Sequence, residues 1–164
     1  MANREDLDIA KNSLTLRDIR LRSSATDIDI DDDKTVDDLL FDGDRKFQSH
    51  RGASKIIETE SESESELDVE SKFLYTIRYT VGVRLIKNTD DTHAQEDLEG
   101  LVTIVASFDA SYFSPVKLTK GQLDAFAENN VGYHVWPYWR EYVQSTCQRI
   151  GVVPSFPVPL YILE

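Results

Sequence analysis

The chain has 164 residues, and its 30 aspartates and glutamates outnumber its 18 lysines and arginines, which gives a formal net charge of −12. Such an acidic chain is not expected to bind nucleic acid or an anionic membrane surface through phosphate contacts. Its length suits one domain with a buried core, and its single cysteine excludes an intrachain disulfide.

The acidic residues are concentrated in the first part of the chain. Residues 1–70 carry 20 acidic and 10 basic residues. We expect residues 1–12 to form a flexible N-terminal tail and residues 13–164 to form a single domain. The polar start and the short apolar stretches lead us to expect a cytoplasmic protein without a signal peptide or a membrane span.

The first apolar pattern predicts a β-strand with an irregularity. Leu14 and Leu16 share one face of an extended chain, whereas Ile19 and Leu21 fall on the other. A bulge or a short break between Leu16 and Ile19 would explain the change of phase.

Residues 27–50 are predicted to form a long acidic loop, because aspartates dominate much of this stretch. A loop of this length within a compact domain is often functional. The predicted loop holds a small apolar cluster, which consists of Leu39, Leu40, Phe41 and Phe47.

Acidic residues occupy every even position from 58 to 70. In an extended strand they would line one face, and repulsion between neighbouring carboxylates would keep that face in water. We predict that Ile56 and Ile57 belong to one strand, that Leu67 and Val69 begin the next, and that the stretch between is a solvated loop or hairpin. The alternative is an acidic docking face for a partner. The candidate docking residues are Glu60, Glu62 and Glu64.

The sequence next predicts two long antiparallel strands. In residues 73–85 every odd position is apolar or aromatic and the other face is largely polar or charged, which is typical of a sheet with one buried face. Residues 101–113 predict a second strand that is apolar on both faces in its middle. The polar stretch between them would form the turn of a meander.

Helices are predicted after the strands, which favours an α+β fold. Thr119 is a plausible N-cap for a short helix through Ala127, with Gln122 as its capping-box partner. We expect residues 129–132 to end that helix, because they contain two asparagines and a glycine.

A longer helix is predicted to begin at Pro137 and to stop at Gly151. The segment that follows contains three prolines, which force it to be extended. Its apolar residues predict that it lies across the body of the protein.

No motif for nucleotide binding, nucleophilic hydrolysis or zinc proteolysis is present in the sequence. We expect His134 to pack or to form a hydrogen bond, and Cys147 to be a small buried helix residue. The sequence therefore predicts no catalytic residue, no metal and no cofactor, and we expect the protein not to be an enzyme.

The chain has more apolar surface than one small core would use. Six aromatic residues lie within a short stretch: Phe126, Tyr133, Trp136, Tyr138, Trp139 and Tyr142. The surplus can be used in subunit contacts or in a groove for apolar ligands.

Residues 130–143 resemble the helix motif of the SecB chaperone family, in which an aromatic-Pro-Tyr-x-Arg-Glu core opens the long helix. Gly151, Pro154 and Pro159 are similar to the family's exit from that helix. The strands predicted at residues 14–21, 73–85 and 101–113 stand in the expected order.

The resemblance implies a four-stranded antiparallel sheet with helices on one face, assembled as a homotetramer that is a dimer of dimers. It also implies an ATP-independent holdase that binds unfolded or nonnative proteins along apolar grooves. An acidic envelope would favour basic clients. The groove candidates that follow are Leu39, Leu40, Phe41, Phe47, Tyr133 and Tyr138.

Export members of the family continue into a further helix and a tail that engages the SecA motor, whereas this chain ends at residue 164. We therefore expect a dedicated chaperone that protects the antitoxin of a toxin–antitoxin system, with delivery of preproteins to SecA as the alternative. Two other classes stay open: a small-ligand carrier with a pocket between sheet and helices, and an acidic oligomeric adaptor.

Overall fold

The computed structural model describes residues 3–41, 45–60, 73–87 and 101–161. Within these ranges a four-stranded antiparallel sheet has the order β1-β4-β3-β2. The strands are β1 (Thr15–Ile28), β2 (Arg45–Glu60), β3 (Phe73–Lys87) and β4 (Val102–Ser114). The helices are α1 (Arg4–Ser13), α2 (Val36–Phe41), α3 (Lys120–Phe126) and α4 (Gly132–Ile150).

The two central strands form the core of the sheet. On the side that the helices cover, β3 and β4 place large apolar residues opposite one another, such as Tyr75 opposite Tyr112 and Tyr79 opposite Phe108. On the other side the same strands carry polar pairs, among them Arg78 and Asp109, which form two hydrogen bonds. The predicted one-sided sheet and the pairing of these two strands are confirmed.

The irregularity predicted in the first strand is confirmed. The register between β1 and β4 shifts between Leu16 and Asp18, and it shifts again between Leu21 and Ser23. Since β1 pairs only with β4 in the described sheet, its outer edge is an end of the sheet.

The prediction of a long loop over residues 27–50 is wrong. Strand β1 continues to Ile28, helix α2 forms after Thr35, and β2 begins at Arg45. The carboxylate of Asp38 accepts a hydrogen bond from the backbone nitrogen of Thr35, which helps the short helix to begin. The start of β2 escaped prediction because Phe47 stands there among small, polar and charged residues, which give no apolar alternation.

The N-terminal residues form a helix where the sequence predicted a flexible tail. The side chain of Asn3 accepts a hydrogen bond from the backbone nitrogen of Glu5 and so caps α1. Ala10 is fully buried, and α1 packs beside α3. This helix therefore contributes to the helical layer.

Helix α3 begins as predicted, with Thr119 and Gln122 in a reciprocal capping box. The predicted break after it is wrong, because the π-helical segment Ala127–Val131 connects α3 directly to α4. The predicted start of the long helix is also wrong, since Pro137 lies inside α4. Proline removes a backbone hydrogen bond there, but burial of the adjacent Trp136 and Trp139 against the core offsets that loss.

The end of α4 and the path of the following segment agree with the prediction. Gly151 adopts a left-handed conformation with φ of 81° and ends the helix. Val152 and Phe156 are buried, so the proline-rich segment lies against the body of the protein.

Candidate client-binding trench

The floor of the candidate site is the face of β2 that points toward the helices. Strand β2 pairs with β3, and a register shift between Ala53 and Lys55 keeps inward-facing residues on one side along its whole length. These residues are opposite the buried residues of β3. The inward-facing residues of β2 are Phe47, Ser49, Arg51, Ala53, Ile56 and Glu58.

The helical layer packs fully on β3 and β4 but leaves space above β2. Ser49 and Ala53 have small side chains, and both are exposed or only partly covered. Space above an edge strand is expected where small side chains replace the large ones of the central strands. The result is a groove between β2 and the helical layer, which we call the trench.

The trench consists of three adjoining cavities. The middle cavity has a volume of about 770 Å³ and lies between α1, β2, the π-helical segment and Tyr161. A second cavity, of about 410 Å³, shares Arg51 with the middle one and extends toward the proline-rich segment. A third, of about 550 Å³, shares Ala53 and Ala127 with the middle one and extends along α3.

The trench follows β2 from Ser49 to Glu58. At roughly 3.3 Å per residue, this length accommodates an extended segment of about nine residues. All three cavities are open to solvent along one side and have mixed polar and apolar linings. The geometry is that of a surface for an extended chain and differs from a closed pocket for a small molecule.

One wall of the middle cavity is held by a pair of tyrosines. Tyr79 and Tyr161 are joined by a hydrogen bond between their side chains. They approach the helix at Gly132, where an added Cβ would lie 2.5 Å from each hydroxyl oxygen. Burial is the largest cause that raises the pKa of Tyr79 above 10.0, so this hydroxyl stays protonated near neutral pH.

The proline-rich segment forms the wall of the second cavity. The indole nitrogen of Trp136 donates a hydrogen bond to the carbonyl oxygen of Pro159. The rings of Phe47 and Phe156 have centroids 5.1 Å apart, so the same segment also contacts β2. Two contacts from different elements therefore fix its path.

The third cavity has an apolar base. Ile56, Leu118 and Leu123 line it, together with charged residues at its rim. The backbone nitrogen of Leu118 donates a hydrogen bond to the hydroxyl of Tyr75, which anchors the segment before α3 to the sheet. Burial is the main reason that the pKa of Tyr75 is raised.

His134 lines the middle cavity and has the hydrogen-bonding role that the sequence predicted. Its Nδ1 lies 2.9 Å from the hydroxyl oxygen of Tyr112. Burial lowers the pKa of His134, because the charged imidazolium is desolvated, and burial also raises the pKa of Tyr112. Both groups are therefore neutral near pH 7, and Cys147 is buried as predicted.

The structure places some of the predicted groove residues at the trench and others away from it. Tyr133 lines the middle cavity, and Phe47 packs on the proline-rich segment at one end of the trench. Leu39 and Leu40 are partly buried and pack against the core. Tyr138 is exposed on α4 and lines none of the three cavities, so the structure does not bring it to the trench.

The remaining candidates are Phe41 and the three glutamates of the predicted docking face. The side chain of Phe41 lies outside the described part of the chain, as do Glu62 and Glu64. Glu60 is the exposed last residue of β2. The acidic docking face therefore stays a prediction.

Sequence reasoning missed Arg51, Ala53 and Tyr161, which define the middle of the trench. No apolar period marks Arg51 or Ala53, and Tyr161 is far from both in the chain. Only the placement of β2 at the edge of the sheet brings them together.

Within the described ranges, no three His, Cys, Asp or Glu residues are placed to hold a metal ion. The helices of the same ranges include none that is both long and apolar enough to cross a membrane.

Comparison with solved structures assigns the fold to the SecB-like class. The chain matches the structure of the Mycobacterium tuberculosis Rv1957 SecB-like chaperone, which was solved in complex with a ChAD peptide from the Rv1956 HigA1 antitoxin. The match covers 96% of this chain and 98% of that chain, with a TM-score of 0.64 and 14% sequence identity. No protein-family model and no curated protein sequence matches the chain. The predicted α+β fold, a four-stranded antiparallel sheet with helices packed on one face, is confirmed.

Proposed function

We propose that this protein is an ATP-independent SecB-like chaperone that holds extended, nonnative segments of other proteins in the trench along β2. The observation that carries the proposal is the trench itself, which is open, long enough for about nine extended residues and mixed in polarity. Such a surface binds many sequences, because apolar contacts do not require a fixed pattern of hydrogen bonds.

The client that we propose is the antitoxin of a toxin–antitoxin system. The support comes from the matched SecB-like chaperone, which was solved with a peptide from an antitoxin and shares the fold over nearly the whole chain. Delivery of preproteins to the SecA motor is the alternative, and we propose the dedicated role over it. The protein would act in the cytoplasm by binding alone, without catalysis.

We further propose that the chain assembles as a homotetramer, a dimer of dimers. Large apolar side chains that stay exposed on a single chain support this proposal. Leu16 is 42% exposed and Leu21 is 50% exposed, and both lie on the end strand β1. Size measurement by light scattering tests it, and a monomer at micromolar concentration would contradict it.

The holdase activity is tested by aggregation of a chemically denatured client on dilution, without nucleotide. The wild-type protein should suppress the light scattering of the client. Ala53→Trp should abolish most of that effect, because Ala53 lies on the trench floor where the middle and third cavities meet, and an indole there would obstruct the path of an extended chain.

The matched control is Ala25→Trp. Ala25 is opposite Val105, which in turn is opposite Gly82, so it lies on the face of the sheet away from the helices. This variant should suppress aggregation as the wild type does. Wild-type protein that leaves the client to aggregate would contradict the proposed function.

A further inference from the structure

We infer that the middle of the trench is a carboxylate subsite, in which Arg51 selects client segments that carry an acidic side chain flanked by apolar residues. This inference rests on the proposed function and names the chemistry of the preferred client. It concerns the lining of the trench, which differs in charge from the acidic envelope of the protein.

Arg51 is held in place by aromatic rings. Its guanidinium carbon lies 4.4 Å from the ring centroid of Tyr161 and 5.6 Å from that of Trp136. Such contacts position the cation without using its N–H donors, and no residue of the described ranges accepts a hydrogen bond from this guanidinium group, so the donors are available to a ligand. The side chain is exposed and lines both the middle and the second cavity.

Arg51 forms no ion pair with a carboxylate of the described ranges. Other arginines of the same ranges do have such partners, as Arg78 has Asp109 and Arg20 has Asp18. Arg51 lines two cavities, and no carboxylate of the described ranges neutralises its charge. Its placement is better suited to a carboxylate that arrives with a client.

The other charged residues of the middle cavity agree with this assignment. Lys11 of α1 and Arg51 contribute two positive charges, and Glu128 contributes one negative charge. The cavity is therefore locally positive, although the whole chain is strongly negative. A carboxylate entering here gains a charge-assisted hydrogen bond in a partly desolvated site.

The apolar residues on both sides of Arg51 define the rest of the preferred segment. Trp136 and Trp139 line the second cavity on one side, and Ile56 with Leu123 lines the third on the other. Arg51 and Ile56 are five positions apart on β2, which corresponds to roughly 15 Å in an extended strand. A fitting client segment therefore has an acidic residue with an apolar side chain about four or five positions away toward the third cavity, and with apolar side chains closer to it toward the second, where Trp136 lies beside Arg51.

The experiment measures binding of acetylated and amidated nine-residue peptides by fluorescence anisotropy. The peptides have leucine and valine flanks and differ only at the centre, which is glutamate or glutamine. The wild-type protein should bind the glutamate peptide roughly tenfold more tightly than the glutamine peptide. Arg51→Met should reduce that ratio to about one, and Arg51→Lys should retain part of it.

Arg20→Met is the control, since Arg20 lies on β1 and pairs with Asp18 outside the trench. It should leave the ratio unchanged. A third peptide, with central glutamine and a free terminal carboxylate, distinguishes a side-chain acid from a chain end. If only this peptide gains affinity, selection of an acidic side chain is overturned.

The two proposals fail in different ways. If the wild type binds both amidated peptides equally, the carboxylate subsite is overturned while the chaperone function stands. If the glutamate preference survives in Arg51→Met, Arg51 is not its source and the inference is likewise overturned. If neither peptide binds, the carboxylate subsite fails, and suppression of client aggregation separately decides the proposed function.

Discussion

The indole nitrogen of Trp136 lies 2.6 Å from the carbonyl oxygen of Pro159. Through this hydrogen bond, helix α4 fixes the proline-rich segment that forms one wall of the trench. The ring of Trp136 also lies edge-on to the ring of Tyr161, with centroids 5.3 Å apart. The same tryptophan therefore holds the wall at two positions.

Trp136→Phe should loosen that wall. The variant loses the hydrogen bond and part of a buried ring, which should lower the free energy of unfolding by about 1–2 kcal/mol. A drop in melting temperature of roughly 3–6 °C is expected, together with faster chymotrypsin cleavage near Tyr161. Unchanged cleavage and unchanged melting would contradict the role of the bond.

Trp139→Phe is the control, because Trp139 is also a buried tryptophan of α4. This variant likewise loses part of a buried ring, but it keeps the hydrogen bond from Trp136 to Pro159. It should lower the melting temperature without a change in cleavage near Tyr161. Equal acceleration of cleavage in both variants would show that general loosening of the helix is the cause.

Gly132 lets the tyrosine pair approach α4, so Gly132→Ala should destabilise the protein. Alanine ordinarily favours a helix over glycine by about 1 kcal/mol. Here its Cβ would lie 2.5 Å from the hydroxyls of Tyr79 and Tyr161, and displacing them should cost about 1–3 kcal/mol, measured by urea unfolding.

Gly52→Ala is the matched control, because a Cβ at Gly52 would have no atom within 4 Å. It should leave the free energy of unfolding nearly unchanged or raise it slightly. A Gly132→Ala variant that is about 1 kcal/mol more stable than the wild type would show that the tyrosine pair moves without cost.

Stability should depend on pH through His134. Its pKa is lowered in the folded protein below the ordinary value of 6.5, chiefly because burial disfavours the charged ring. The unfolded chain therefore binds a proton first as pH falls, and the folded state loses stability below 6.5 until the pH passes the lower folded pKa. Above 6.5 the contribution is fully present.

His134→Asn should flatten this dependence, because asparagine does not titrate and its side-chain oxygen can accept a hydrogen bond from Tyr112. The measurement is urea unfolding at several pH values between about 7.5 and 5. If the variant loses stability with falling pH as steeply as the wild type does, His134 is not the group responsible.

The parts of the fold that the sequence predicted are those in which large apolar residues follow a period. Residues 73–85 alternate strictly, and the capping box at Thr119 is a local signal that needs no tertiary context. The start of β2 has neither kind of signal, since Ser49, Arg51 and Ala53 face the trench.

The residue types that left the start of β2 unpredicted also create the candidate site. Small and polar side chains on an edge strand leave space beneath the helices, and only the assembled sheet shows that space. Pro137 was misjudged for a related reason, because burial of its neighbours decides whether a helix continues through a proline.

The most direct test of the central claim is site-specific photo-cross-linking to a denatured client. Benzoylphenylalanine replaces Tyr133, which lines the middle cavity, in one variant and Tyr138, which is exposed on the same helix outside the three cavities, in another. We expect cross-links to client from position 133 and few or none from position 138, both identified by mass spectrometry. Equal cross-linking from both positions, or cross-linking from position 138 alone, would contradict a chaperone that holds extended chains in the trench.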